Sequence, residues 1–231
     1  MNIKFNFFGK DCLIDRALQN RSDLICALKQ KNIPNQKVLF VNQIHSNEVV
    51  VIDKEEKIYG DQNLPKADSI VTNLANIVIG VVTADCSPIL LYDENNNIVA
   101  ATHAGWRGAK IDIIANTVNQ MKKLGAKNII AEIGPMIQQE SYQVSQEFLD
   151  DFLVEDAANK IFFNKDDIEG KYIFDLPSYV EKKLSNSGVA KINNSKIDTY
   201  KNDKTYFSFR RSTHLLEKDC GRNISVISIV K

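Results

Sequence analysis

The sequence predicts a mixed α/β (α+β) protein in which helices cover mixed β-sheet, folded as a single domain over residues 1–231. Three observations carry that expectation. Short apolar runs bounded by turn residues, such as Val49–Ile52, Ile77–Val82 and Ile224–Val230, have the length and β-branched content of buried strands. Ile111, Ile114, Val118 and Met121 recur at the spacing of an amphipathic helix. No Pro-, Gly- or Ser-rich linker divides the 231 residues, and strand-like and helix-like segments are interleaved along the chain.

Taken in order, Ile3–Phe8 reads as a brief strand and Asp15–Lys29 as a helix. Val38–Val41 is a strand leading to His45, and Val49–Ile52 another, closed by a charged turn at Asp53–Lys57. Ala67–Thr72 leads into the apolar run Ile77–Val82. Pro88–Tyr92 and Ile98–Thr102 flank the polar cluster Asp93-Glu94-Asn95-Asn96-Asn97, a hairpin turn by composition. The helical stripe from Ile111 ends at Gly125, a natural stop after Leu124. Ile129–Ile133 is a strand closed by Gly134-Pro135. Val144–Val154 and Pro177–Leu184 read as helices, the second with Pro177 in its first turn. Val189–Ile192, Tyr206–Arg210 and Ile224–Val230 read as late strands.

Composition narrows the function. Twenty-nine basic residues balance 29 acidic ones, so charge gives no case for nucleic acid or an anionic membrane as partner. The longest apolar stretch, Ile77 to Thr83, is far short of a membrane span, and the N-terminal residues lack a leader pattern. The four cysteines, Cys12, Cys26, Cys86 and Cys220, lie far apart, which suits reduced thiols and a cytoplasmic protein. A neutral, evenly charged chain is expected to be a monomer.

Three positions concentrate the chemistry: His45, Cys86 and His103, each at the end of an apolar strand running into a turn. One thiol and two imidazoles suit a borderline-soft metal such as zinc, and three protein ligands leave a fourth tetrahedral position open. Free cysteine is among the most buried residue types, so Cys86 also reads as a small core hydrophobe. Its neighbour Asp85 argues otherwise, because a carboxylate at a buried strand end is costly without a partner or a task. The hairpin around Asp93–Asn97 brings Cys86 and His103 side by side, whereas spacing alone does not bring His45 to them. His103 also reads as a cap on the helix that follows it. His214, in Ser212-Thr213-His214, reads as a surface residue. Gly105 and Gly108 around Trp106-Arg107 precede a helix expected near Ala109, whose free N–H groups, with Arg107, would form an anion site. Arg107, like Arg210 and Arg211, reads equally as a structural ion-pair partner.

These segments together resemble the YfiH-type family. That family is variously described as laccase-domain or polyphenol-oxidase-like proteins and as purine nucleoside phosphorylases, and includes the human laccase-domain protein FAMIN. The matching stretches are Gln43-Ile44-His45, Ala67-Asp68-Ser69-Ile70-Val71-Thr72, Thr83-Ala84-Asp85-Cys86-Ser87-Pro88 and His103-Ala104-Gly105-Trp106-Arg107-Gly108. Further matches are Ile133-Gly134-Pro135-Met136-Ile137 and Phe207-Ser208-Phe209-Arg210-Arg211, with Gly221-Arg222 downstream. The resemblance implies a zinc site at His45, Cys86 and His103, a functional arginine at Asn20-Arg21, and two sheets sandwiched between helices as in the catalytic domain of cytotoxic necrotizing factor. It implies purine nucleosides and phosphate as substrates, with phosphorolysis of adenosine, inosine, guanosine or methylthioadenosine and deamination of adenosine. In that reading Arg21, Arg107 or the helix start holds phosphate, and Asp85 acts as general base or orients a ligand histidine. Two features depart from the pattern: the usual Thr-Arg-x-Gly-Gly stretch is missing near the N-terminus, and Asp198-Thr199 stands where a Cys-Thr pair is usual. The alternatives are a copper-type polyphenol oxidase, which needs more histidines than the three present, and a cysteine hydrolase using Cys86 with His103.

Overall fold

The computed structural model describes residues 2–13, 21–34 and 37–231. In chain order it contains β1 (Asn2–Phe8), α1 (Ser22–Gln30), β2 (Val38–Leu39), β3 (Val49–Ile52), β4 (Ser69–Thr72) and β5 (Val78–Thr83). Next come the hairpin β6 (Ser87–Asp93) and β7 (Ile98–Ala104), then α2 (Trp106–Lys110), α3 (Ile113–Lys123) and β8 (Ile130–Ile133). The rest comprises β9 (Gln143–Ser145), α4 (Gln146–Glu155), β10 (Phe163–Lys165), β11 (Lys171–Phe174), α5 (Leu176–Asn186), β12 (Lys191–Asn194), α6 (Phe209–His214) and β13 (Asn223–Val230).

The strands form a four-stranded sheet, β1-β13-β5-β2, a six-stranded sheet, β12-β8-β6-β7-β4-β3, and a small sheet, β10-β11-β9. Both larger sheets are mixed: β2 runs parallel to β5, β3 to β4 and β12 to β8, while the other pairs are antiparallel. Period-two alternation sorts the side chains. On β7, Val99 and Ala101 join Leu90, Ile79, Val81 and Ile227 in the layer between the two sheets. Ile98 and Ala100 face the opposite side, where they pack with Ile113, Ile114, Val118 and Met121 of α3 and Tyr179, Val180 and Leu184 of α5. The outer face of the four-stranded sheet, with Val78, Ile224 and Val226, packs on Leu24 and Leu28 of α1. The layers therefore run helix, sheet, sheet, helices, the sandwich that the resemblance implies.

Several boundaries differ from the sequence reading. The first helix begins at Ser22 among the described residues, and the earlier part of the expected Asp15–Lys29 segment, with Asn20, lies outside them. Ile111 is exposed in the link between α2 and α3, and the buried stripe starts at Ile113 instead. The helix expected near Ala109 begins at Trp106, with Gly105 as its N-cap. Val144 belongs to β9, pairing with Tyr172, and the helix starts after Ser145, whose hydroxyl accepts a hydrogen bond from the Phe148 N–H. The strand expected at Tyr206–Arg210 is the entry to α6: Ser208 caps it by accepting from the Arg211 N–H.

Candidate metal centre and its cavity

The site lies where the chain crosses from one large sheet to the other. β5 ends at Thr83 in the four-stranded sheet and β6 begins at Ser87 in the six-stranded one, with Cys86 in the turn between them. Across the hairpin, Ser87 pairs with Ala104 and Pro88 with His103, so the ladder itself sets His103 beside Cys86. His45 arrives from the segment after β2, held by Gln43, whose side-chain amide donates to the Val82 carbonyl and accepts from the Val82 N–H, both at 2.8 Å.

The candidate ligand atoms of His45, Cys86 and His103 all lie within 4.8 Å of one another. Cys86 Sγ is 3.9 Å from His45 Nε2, and the two imidazoles meet edge to face with centroids 4.7 Å apart. Zinc–sulfur and zinc–nitrogen bonds of about 2.3 and 2.0 Å place tetrahedral ligands about 3.5 Å apart, so the three donors need only small shifts to share one ion. Gly105 shapes the other side: a Cβ there would lie 2.8 Å from Cys86 Sγ and 3.2 Å from His45 Cδ2. The donor set and this glycine-lined space fit a tetrahedral metal with one open position.

The residue that builds the centre is Asp68. Its buried carboxylate accepts from the backbone N–H groups of Ile44, His45 and Ser46 and from the Ser46 hydroxyl. These bonds hold the turn in which His45 adopts φ 57°, a left-handed conformation. The same carboxylate lies 2.8 Å from His103 Nδ1, which leaves Nε2 as the nitrogen for a ligand. Burial raises the Asp68 pKa, but the hydrogen bonds from His103 and Ser46 outweigh it and hold the carboxyl at about 2. For Cys86, burial opposes the thiolate, and the charge and hydrogen bonds of His103 and His45 win, giving about 6. His103 is held at about 9, since Cys86 and Asp68 outweigh the burial that disfavours its charged form. The thiolate and the fixed ring orientation suit a metal ligand set, and His103 would release its Nε2 proton on binding an ion.

Asp85 has a different partner set from the one expected. Its carboxylate accepts from the Thr199 hydroxyl at 2.6 Å, the Ser208 hydroxyl at 3.0 Å and the Arg210 N–H at 2.7 Å. It ties the Cys86 turn to the start of α6, and the carboxylate that orients a histidine is Asp68. Asp85 is also in the left-handed region, at φ 86°, a strained conformation that these three bonds stabilise. Asp198, where the resemblance leads one to expect a cysteine, accepts from the Ser141 hydroxyl and the Tyr200 N–H.

The arginines are redistributed in the same way. Arg21 stacks on Phe40 and donates to the Val38 carbonyl and to Asp61. Arg107 is exposed on a five-residue helix. Neither is among the residues lining the cavity, whereas Asp61 is. Arg210 and Arg211 donate to backbone carbonyls at Gln143, Thr199, Tyr200 and Tyr206. Among the described residues the arginine lining the cavity is Arg222, visible in the sequence only as part of Gly221-Arg222. His214 is exposed and pairs with Tyr200.

All three candidate ligands open into a cavity of about 820 Å³, also lined by Asn42, Thr83, Phe209 and Arg222. That volume suits a small-molecule substrate, since such sites run to ~300–1,000 Å³.

Comparison with known proteins agrees with this architecture. A purine nucleoside phosphorylase of Rickettsia prowazekii is 45% identical over 180 residues, covering 78% of this chain and 73% of that protein. The Escherichia coli purine nucleoside phosphorylase YfiH is 32% identical over 218 residues, covering 94% and 82%. An adenosine deaminase, RL5, from an unknown prokaryotic organism is 34% identical over 220 residues, covering 89% and 80%. The crystal structure of Neisseria meningitidis protein NMB0706 superposes with a TM-score of 0.77 at 29% identity, covering 94% of this chain and 83% of that one. The chain matches a family profile over residues 14–230 and belongs to the enzyme family described as multi-copper polyphenol oxidoreductase laccase, the same family as the YfiH proteins.

Proposed function

We propose that this protein is a zinc-dependent purine nucleoside enzyme, catalysing phosphorolysis and, on adenosine, hydrolytic deamination. The observation that carries the proposal is the convergence of His45, Cys86 and His103 at the wall of the cavity. The names of the relatives support the substrate class. Sulfur with two imidazoles favours zinc, and a multicopper centre would need more than the three histidines of this chain, one of which pairs with Tyr200.

When bound, zinc would supply Lewis acidity and lower the pKa of a water towards about 7. The chain's own residues do the rest. Asp68 fixes the His103 tautomer and the His45 turn. Arg222, whose Nη1 donates to the Cys220 and Gly221 carbonyls, is oriented by them and retains donors for an anion such as phosphate. In phosphorolysis a phosphate oxygen bonds to C1′ of the ribose as the glycosidic bond breaks, and the departing base takes up a proton at its freed nitrogen. In deamination water adds to C6 and ammonia leaves. Arg21 acts behind the wall, by holding Asp61.

A second reading rests on the line Cys86, His103, Asp68, in which a thiolate, an imidazole and an orienting carboxylate stand in the order used by cysteine hydrolases. Metal content separates the two, because a bound ion occupies the thiolate. Tightly bound zinc, with adenine or inosine formed from adenosine, supports the proposal; a metal-free protein whose Cys86 alkylates and whose activity is then lost contradicts it.

A further inference from the structure

We propose that Phe209 is the platform on which the purine base stacks; this rests on the nucleoside reading above and names the residue that would select for it. Phe209 lines the same cavity as the three candidate ligands, yet 61% of its surface is open. An exposed phenylalanine on its own needs no explanation. Here, however, the ring borders a cavity whose other lining groups include Asn42, Asp61, Gln62, Asn63 and Arg222, and it supplies a large apolar face for a planar ligand.

The backbone at Phe209 is also held more firmly than a surface residue requires. It is the first residue of α6, and the preceding Ser208 and the following Arg210 both donate to the Asp85 carboxylate. Asp85 precedes Cys86, and its own carbonyl accepts from the Ile137 N–H. A single carboxylate thus sets the backbone from which the aromatic ring projects relative to the candidate metal ligand. With the backbone held, only the ring's two side-chain torsions are left to be ordered on binding, so stacking is gained at low cost. The flat heteroaromatic face of a nucleoside base is the chemistry that this arrangement recognises; the sugar and phosphate ends have Arg222 and the metal wall.

The test is calorimetric titration of the full, zinc-replete chain with inosine in the absence of phosphate, where phosphorolysis cannot proceed, and with ribose 1-phosphate, which has no base. F209A is expected to weaken inosine binding about tenfold, within the range that aromatic stacking supports, while ribose 1-phosphate binding and zinc content stay as in the wild type. F209W is expected to restore inosine binding. Unchanged inosine binding in F209A, or an equal loss for both ligands, would overturn the inference and leave the nucleoside reading intact. Failure of the wild type to bind inosine would instead remove that reading, and this inference with it.

Discussion

Asp68 shows how one buried carboxylate organises a site without belonging to the ligand set. It accepts three backbone N–H groups around His45, a serine hydroxyl and the His103 ring. Asp68→Asn keeps the shape but replaces one acceptor oxygen with a donor, which cannot serve the Ser46 N–H and hydroxyl together with His103. The expected result is a loss of metal affinity of about 10–100-fold, measured by chelator competition; wild-type affinity would show that the orientation of the ligands does not depend on it. His103→Ala is expected to abolish metal binding, and His214→Ala to leave it unchanged, both read as metal content. Arg21→Ala is expected to retain the metal and lose turnover, because Asp61 loses its anchor; wild-type turnover would remove Arg21 from the account. The candidate ligands were legible in the sequence as residue types at strand ends, although nothing in the spacing brought His45 to Cys86 and His103. Asp68 was not, because its partners at positions 44–46 and 103 are distant in the chain and a carboxylate inside Ala67-Asp68-Ser69 carries no local sign of them.

At the level of elements, the hairpin β6–β7 was legible and α6 was not. Two short continuous apolar runs and a polar turn between them define the hairpin, and Asp93 reinforces that turn by accepting from the Asn95 and Asn96 N–H groups. The register that follows, Pro88 opposite His103, is what places Cys86 beside the histidine. Within Tyr206–Arg210, Phe207 to Arg210 alternate aromatic and polar residues and so imitate a strand, but a capping serine at Ser208 and the remote Asp85 carboxylate start a helix there. The serine before Phe209 was the available signal. Asp85→Ala would leave the Thr199 and Ser208 hydroxyls and the Arg210 N–H without their acceptor. A stability loss of about 1–3 kcal/mol or more is expected, the cost of even one buried group left unpaired, read from denaturant unfolding. Wild-type stability with turnover alone reduced would point back to a general-base role for Asp85.

For the molecule as a whole, two mixed sheets face each other and the candidate centre sits at their junction, so the packing between them supports the site. Leu90 of β6 is fully buried in that layer. Leu90→Ala is expected to cost about 2–5 kcal/mol in unfolding free energy; a loss well below that would mean that the layer collapses around the gap. Mixed sheet covered by helices was legible from the interleaved strand-like and helix-like segments, whereas the two-sheet sandwich came from the family resemblance, because strands buried on both faces, such as Ile98–Ala104, do not show in sequence which layer each residue joins. The small sheet β10-β11-β9 was not, because its short, partly exposed strands lack the apolar runs that mark the others.

The central claim is that His45, Cys86 and His103 hold one catalytic metal ion in a nucleoside-binding cavity. The most direct measurement is the metal content of the purified protein by mass spectrometry, taken together with adenosine turnover with and without phosphate. The account predicts about one zinc per chain, adenine and ribose 1-phosphate formed only when phosphate is present, and inosine formed without it. A protein free of metal, with Cys86 open to alkylation and no turnover of adenosine, would contradict it.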